Sequence, residues 1–173
     1  MLKNRRFTMS KRCILADVML AKVARWLRLA GIPAMDVPAQ GDDAILRHSK
    51  RSKAILLTSD VALSLRARKR GITSILVTQH DLDRQLAYVI RSLRLNARTD
   101  PAETFCPRCC SPLNRVSPEF AARRGIPDAI ASRYDGFYYC RRCGKLYWQG
   151  THWISIRKRL ARVARLAARN SAL

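Results

Sequence analysis

The sequence predicts an α/β protein: a parallel sheet flanked by helices, then a small four-cysteine module, then a basic C-terminal helix. Three observations lead there. Short apolar runs alternate with amphipathic stretches of about ten residues as far as Leu95, which is the pattern of crossover units feeding a parallel sheet. Two Cys-x-x-Cys pairs follow at Cys106/Cys109 and Cys140/Cys143. From Ile154 to Ala168, Arg and Lys recur among Leu, Val and Ala at helical spacing.

In chain order, Cys13 to Ala16 reads as a short buried strand and Val18 to Ala30 as a helix, with Gly31 at its C-terminal stop. Ile32 to Val37 is a weaker strand, pushed toward an edge or a loop by Pro33 and Pro38. Asp42 to Lys53 is a second helix. Ala54 to Thr58 is a continuous apolar run, as expected for a strand covered on both faces. Val61 to Arg70 is a third helix ended by Gly71, Thr73 to Val77 a further strand, and Asp81 to Leu93 a long amphipathic helix. Asn96 to Thr104 is polar and contains Pro101, which marks a linker. The expected units are therefore 10–95 for the α/β part, 104–153 for the cysteine module and 154–173 for the basic tail.

The chain has 173 residues, 48% of them hydrophobic and 27% charged, enough for a buried core. Lys plus Arg number 34 against 12 acids, a formal charge of +22. Such an excess calls for a polyanionic partner, nucleic acid or an anionic membrane surface. No apolar run reaches the length of a membrane span, and the basic start lacks the apolar stretch of a secretory signal. Paired cysteines at metal spacing suit a reducing compartment, so a cytoplasmic location is expected, with a short organellar presequence left open.

Acids are rare enough to weigh singly. Ten of the 12 are aspartates, and the α/β half holds only Asp17, Asp36, Asp42, Asp43, Asp60, Asp81 and Asp83. Asp17 directly follows one buried strand and Asp60 follows another with only Ser59 between, and Asp42 and Asp43 open a helix at the same end of the sheet, where open α/β folds bind ligands. Helix capping accounts locally for Asp17 and for one of Asp42 and Asp43. Their coincidence at one rim favours a shared cation, and oxygen donors suit Mg²⁺ or Mn²⁺. An ion of that kind, ringed by cations, is the apparatus of phosphodiester hydrolysis. Asp81 is expected to be a cap and Asp83 to lie on a solvated face.

Lys22, Arg25 and Arg28 recur three apart on one side of the first helix. Spacing alone makes them a solvated face; the functional alternative is a phosphate clamp beside Asp17. Trp26 reads as core. Cys106, Cys109, Cys140 and Cys143 complete a tetrahedral thiolate set for a structural zinc, with Cys109 preferred over Cys110 and no open position for catalysis. Cys13 reads as a small buried hydrophobe.

These residues resemble the Mut-seven C-terminal RNase domain family. The resemblance rests on Ile14-Leu15-Ala16-Asp17-Val18-Met19-Leu20 with Lys22, Ala24-Arg25-Trp26-Leu27-Arg28 and Gly31, on Asp42-Asp43, and on Leu56-Leu57-Thr58-Ser59-Asp60. It extends through both cysteine pairs to Gly150-Thr151-His152-Trp153, covering about Arg12 to Trp153. It implies a PIN-like nuclease fold fused to a zinc ribbon, and RNA cleavage with divalent metal held by aspartates. Asp17 is then the first ligand, Asp42 and Asp43 the helix-borne pair, and Asp60 the acid after the third strand. Two departures stand out: Ser59 replaces a common Arg, and Val61-Ala62-Leu63-Ser64 supplies no fourth acid.

Around the ribbon, Arg141, Arg142 and other cations alternate with Tyr134, Phe137, Tyr138, Tyr139, Tyr147 and Trp148, which suits single-stranded or looped RNA, although most of these rings also serve as the ribbon's own core. His152 reads as a hydrogen-bonded structural residue. Arg157, Lys158 and Arg159 begin the basic helix, for which RNA is a better partner than a membrane once the nuclease-like body is considered. Two functions are therefore expected: a metal-dependent endoribonuclease acting on structured RNA such as rRNA, or a non-catalytic RNA-binding protein of the ribosome. No small-molecule cofactor is expected.

Overall fold

In a computed structural model, residues 13–38, 41–97 and 100–169 are described. The expected start of the α/β unit at residue 10 and the last four residues of the tail lie outside them. Strand β1 (Ile14–Ala16) leads through a 3-10 turn (Val18–Leu20) into α1 (Ala21–Leu29). Then come β2 (Ala34–Asp36), α2 (Asp42–Arg51), β3 (Ile55–Thr58), α3 (Val61–Lys69), β4 (Ser74–Leu76) and α4 (Leu82–Ser92). The four strands form one parallel sheet in the order β2-β1-β3-β4. Pro33 and Pro38 flank β2, which is indeed an edge strand, since proline removes ladder donors that a central strand needs.

Because side chains alternate across a strand, the central pair β1 and β3 supplies two cores. Ile14, Ala16, Ile55 and Leu57 pack with Val23 and Leu27 of α1 and Leu86 and Ile90 of α4. Leu15 and Leu56 face the other way, against Ile45 and Leu46 of α2 and Leu63 and Ala67 of α3. Gly31 and Gly71 follow α1 and α3 at φ of 74° and 70°, the left-handed conformation that ends a helix at little cost only for glycine.

The first helix is shorter than expected. Its opening turn, Val18–Leu20, is 3-10, and the Asp17 carboxylate accepts from the Met19 amide at its head. A second difference concerns Asp83, expected in solvent. It is 9% exposed and accepts from Nε of Arg159 at 2.7 Å and of Arg162 at 2.6 Å. Those arginines belong to α7 (Thr151–Arg169), which lies on α4. Leu160 and Val163 are fully buried in the same core as Leu86 and Ile90, each worth roughly 1.5–3 kcal/mol of apolar burial. The basic helix is thus a structural layer of the α/β body as well as a cationic surface.

The cysteine module forms an antiparallel sheet of β5 (Asn114–Val116), β6 (Phe137–Tyr139) and β7 (Leu146–Trp148), in that order. Two short helices, α5 (Pro118–Ala122) and α6 (Asp128–Ala131), are inserted between β5 and β6. Sequence reasoning did not anticipate them, because five and four residues are too few to display a helical period. The Ser117 hydroxyl accepting from the Phe120 amide, with Pro118 at the first position, was the available signal.

Candidate acidic site and metal centre

Asp17 sits where β1 ends. Its amide donates to Leu57 O at 2.9 Å, which ties the residue to β3 and places its side chain at the carboxyl rim of the two central strands. Asp17 is 5% exposed. Thr58 Oγ1 donates to Asp17 Oδ2 at 2.8 Å and itself accepts from the Asp60 amide at 3.0 Å. With that lone pair occupied, the Thr58 proton points at Asp17, so Asp17 is held as an acceptor. Asp60 caps α3, its Oδ1 accepting from the Leu63 amide at 3.0 Å. One hydrogen-bonded chain therefore joins Asp60, Thr58 and Asp17.

Asp42 and Asp43 occupy the first turn of α2, behind Gly41 at the cap position, and neither caps the helix. Arg66 spans the pair instead, with Nη1 2.7 Å from Asp42 Oδ2 and Nη2 2.8 Å from Asp43 Oδ1; Arg70 adds a 2.8 Å contact to Asp43. The hydrogen bond from Arg70, followed by the charge of the nearby arginines, holds the Asp43 carboxyl below its usual range despite some desolvation. Arg66 and Arg70 lie on one face of α3 four residues apart, a signal present in the sequence once α2 and α3 are known to be neighbours. The rim thus divides into a central Asp17–Thr58–Asp60 chain and an arginine-clamped Asp42/Asp43 pair.

Of the three cations on α1, Lys22 and Arg25 are exposed. Arg28 is a correction: it is 2% exposed and is not available to a phosphate. Its Nε donates to Ala34 O at 2.5 Å and its Nη1 to Pro107 O at 3.0 Å, while Nη2 lies 2.7 Å from Asp36 as an ion pair without an aligned hydrogen bond. The Phe105 amide donates to Arg28 O at 3.0 Å. Arg28 therefore docks the first cysteine turn onto α1 and β2. Arg159 is also engaged, on Asp83 and over the Trp26 ring at 4.9 Å, whereas Arg141, Arg142, Arg157 and Lys158 are exposed.

The two cysteine turns are built alike. Cys106 N donates to Ser111 O and Cys110 N to Cys106 O; Cys140 N donates to Lys145 O and Gly144 N to Cys140 O. Cys110 and Gly144 occupy equivalent positions, at φ of 60° and 70°. Cys110 therefore completes a turn and does not face the ligand position. Cys106, Cys109, Cys140 and Cys143 have sulfurs that all lie within 4.8 Å of one another, with 3.5 Å between Cys106 and Cys143 and 3.4 Å between Cys109 and Cys140. Four sulfurs about 2.3 Å from zinc sit about 3.8 Å apart, so the set fits that ion. Burial opposes ionisation of Cys109, but Ser111 and the adjoining thiols donate to its sulfur and bring it down to about 6, while burial pushes Cys140 up to about 12. Crowded thiols that must share protons in this way are well served by a cation. Among the described residues, these four are the one group of three or more metal-capable side chains so closely gathered; the aspartates are not.

A family model described as the Mut7-C RNAse domain matches residues 12–160. The chain belongs to that family. No curated protein and no solved structure matches it. Membership gives the Mut7-C chain an RNA-related role, and its four cysteines can hold zinc. Among the described residues no helix is long and apolar enough to cross a membrane. Sequence reasoning missed Thr58, Arg66 and Arg70 as members of the rim. Thr58 stands within the Leu-Leu-Thr-Ser-Asp motif and was readable as a partner of Asp17 only once β1 and β3 were paired.

Proposed function

We propose that this Mut7-C chain binds structured RNA, rRNA foremost, and cleaves it as a cytoplasmic metal-dependent endoribonuclease. The observation that carries this reading is the buried Asp17 carboxylate at the carboxyl end of a central strand, held as an acceptor by Thr58 and linked through it to Asp60. Among the described residues no cation pairs with Asp17, and a carboxylate kept away from solvent in this way is costly unless something binds it. Asp17 and Asp60 are the oxygen donors that Mg²⁺ or Mn²⁺ prefers and would hold the ion. When bound, it supplies an activated water and offsets charge on the reacting phosphate. Asp42 and Asp43 join such a site only when Arg66 and Arg70 release them. Lys22 and Arg25, exposed on the helix that starts beside Asp17, hold the RNA backbone, and Arg141, Arg142, Arg157 and Lys158 extend the contact. The zinc keeps the ribbon folded.

A second reading, a non-catalytic RNA-binding protein associated with the ribosome, is favoured by the arginine clamp on Asp42 and Asp43. Labelled rRNA incubated with and without Mn²⁺, with the parent and with Asp17→Asn, separates the two. Withholding the ion is preferable to a chelator, which also attacks the zinc site. Mn²⁺-dependent cleavage lost in Asp17→Asn supports the enzyme, and equal cleavage by both proteins removes it. Binding with a steep salt slope and no cleavage by either leaves the second reading.

A further inference from the structure

A cleft of about 590 Å³ opens where the ribbon, α6, the first turn of α7 and the exposed side of α1 meet. Its size falls in the range of roughly 300–1,000 Å³ used by small-molecule and nucleotide sites. Tyr134, Tyr138 and Trp148 supply aromatic walls, Arg25, Arg133 and His152 line it, and among the described residues no acid is in the lining. Trp148 is 37% exposed and its indole lies close against the chain, a Cβ on Gly150 falling 2.9 Å from its Nε1. Gln149 Nε2 donates to Tyr138 Oη at 3.2 Å, which leaves further amide capacity at the cleft for a base edge.

We infer that this cleft takes one unpaired nucleobase of RNA, stacked on Trp148, with Arg25 and Arg133 on the flanking phosphates. The inference rests on RNA being the ligand of this chain. A flat apolar face bordered by Arg25 and Arg133 is complementary to a base on a phosphate backbone, and stacking of this kind tolerates any base. Arg25 stands eight residues after Asp17, roughly 13 Å along the 3-10 turn and α1 at about 2.0 and 1.5 Å per residue, so one strand spans both places. The cleft thus selects single-stranded or looped segments and presents their neighbouring phosphodiesters to the acidic rim.

The test uses the full chain carrying Asp17→Asn, so that no strand is cut, with no divalent ion added. Binding is measured to a labelled oligoribonucleotide of about ten nucleotides and to a blunt duplex of the same length. Adding Trp148→Ala is expected to weaken single-strand binding about tenfold and leave the duplex unchanged. Trp148→Phe retains most of the affinity. Equal losses on both RNAs, or none on either, overturn the inference. Should Trp148→Ala lose zinc, Arg133→Glu on its exposed site decides, with the same selective loss expected. Selectivity that depends on Trp148, alongside a parent that never cleaves, leaves the cleft standing while the nuclease reading falls. Cleavage by the parent with no such selectivity gives the reverse, and absence of any RNA binding overturns both.

Discussion

The Thr58 hydroxyl donates to Asp17 Oδ2 at 2.8 Å across 41 residues of sequence, and the two side chains meet because β1 and β3 are paired. Thr58→Val keeps the shape and removes the donor. A buried carboxylate oxygen and the Asp60 amide then lose their partner, and the expected cost is about 1–3 kcal/mol, read as a lower urea midpoint with an unchanged slope. RNA affinity stays at the parent value, since Thr58 is fully buried.

Arg66 holds Asp42 and Asp43 in exposed ion pairs. Arg66→Ala therefore changes stability little. It frees Asp42 while Arg70 still holds Asp43, and less Mn²⁺ is expected to give half-maximal RNA cleavage, as a metal titration would reveal. Reduced cleavage at saturating Mn²⁺ would instead mark Arg66 as an RNA contact.

Asp43 has a folded pKa below its ordinary 3.8, chiefly through the Arg70 hydrogen bond. A depressed acid contributes stability that is complete above its unfolded pKa and is lost as pH falls through the folded one. The difference in thermal midpoint between parent and Asp43→Asn is thus expected to be constant above about pH 5 and to shrink at lower pH. A difference that grows on acidification would contradict the pairing.

Arg28 ties the ribbon to the α/β body through Ala34, Asp36 and Pro107. Replacing it by Lys retains the charge but not the three-way fork. The expected loss is on the order of 2–3 kcal/mol, less than for a fully buried pair because Asp36 keeps access to water. Hydrogen exchange should quicken at Cys106–Ser111 ahead of β1 and β3.

Zinc content separates the neighbouring cysteines. Cys109→Ser is expected to lose the metal and unfold the ribbon, while Cys110→Gly, at a φ that glycine adopts freely, retains one zinc per chain. Elemental analysis after gel filtration reads both.

On α7 the cations divide by role. Arg157→Ala and Lys158→Ala are expected to leave the melting temperature unchanged and to lower the salt slope of RNA binding by about one unit each. Arg159→Ala with Arg162→Ala strips Asp83 of both partners and lowers the melting temperature.

Much of this protein was legible along the chain. Apolar periods placed β1 to β4 and the helices between them, because side-chain direction repeats locally. Cysteine spacing located the zinc set, because two thiols two residues apart reach one ion from a single turn. Charge proportion and the ordered motifs from Asp17 to Trp153 led to the family that the comparison bears out. Tertiary structure alone decided which charges remain available. Arg28 and Arg25 look alike in sequence, yet Arg28 is buried beneath the first cysteine turn and Arg25 borders a cleft. Asp83, Asp42 and Asp43 resemble solvated or capping acids until α7 and α3 bring arginines to them. Pairing between groups tens of residues apart depends on how elements pack, and no local period carries that information.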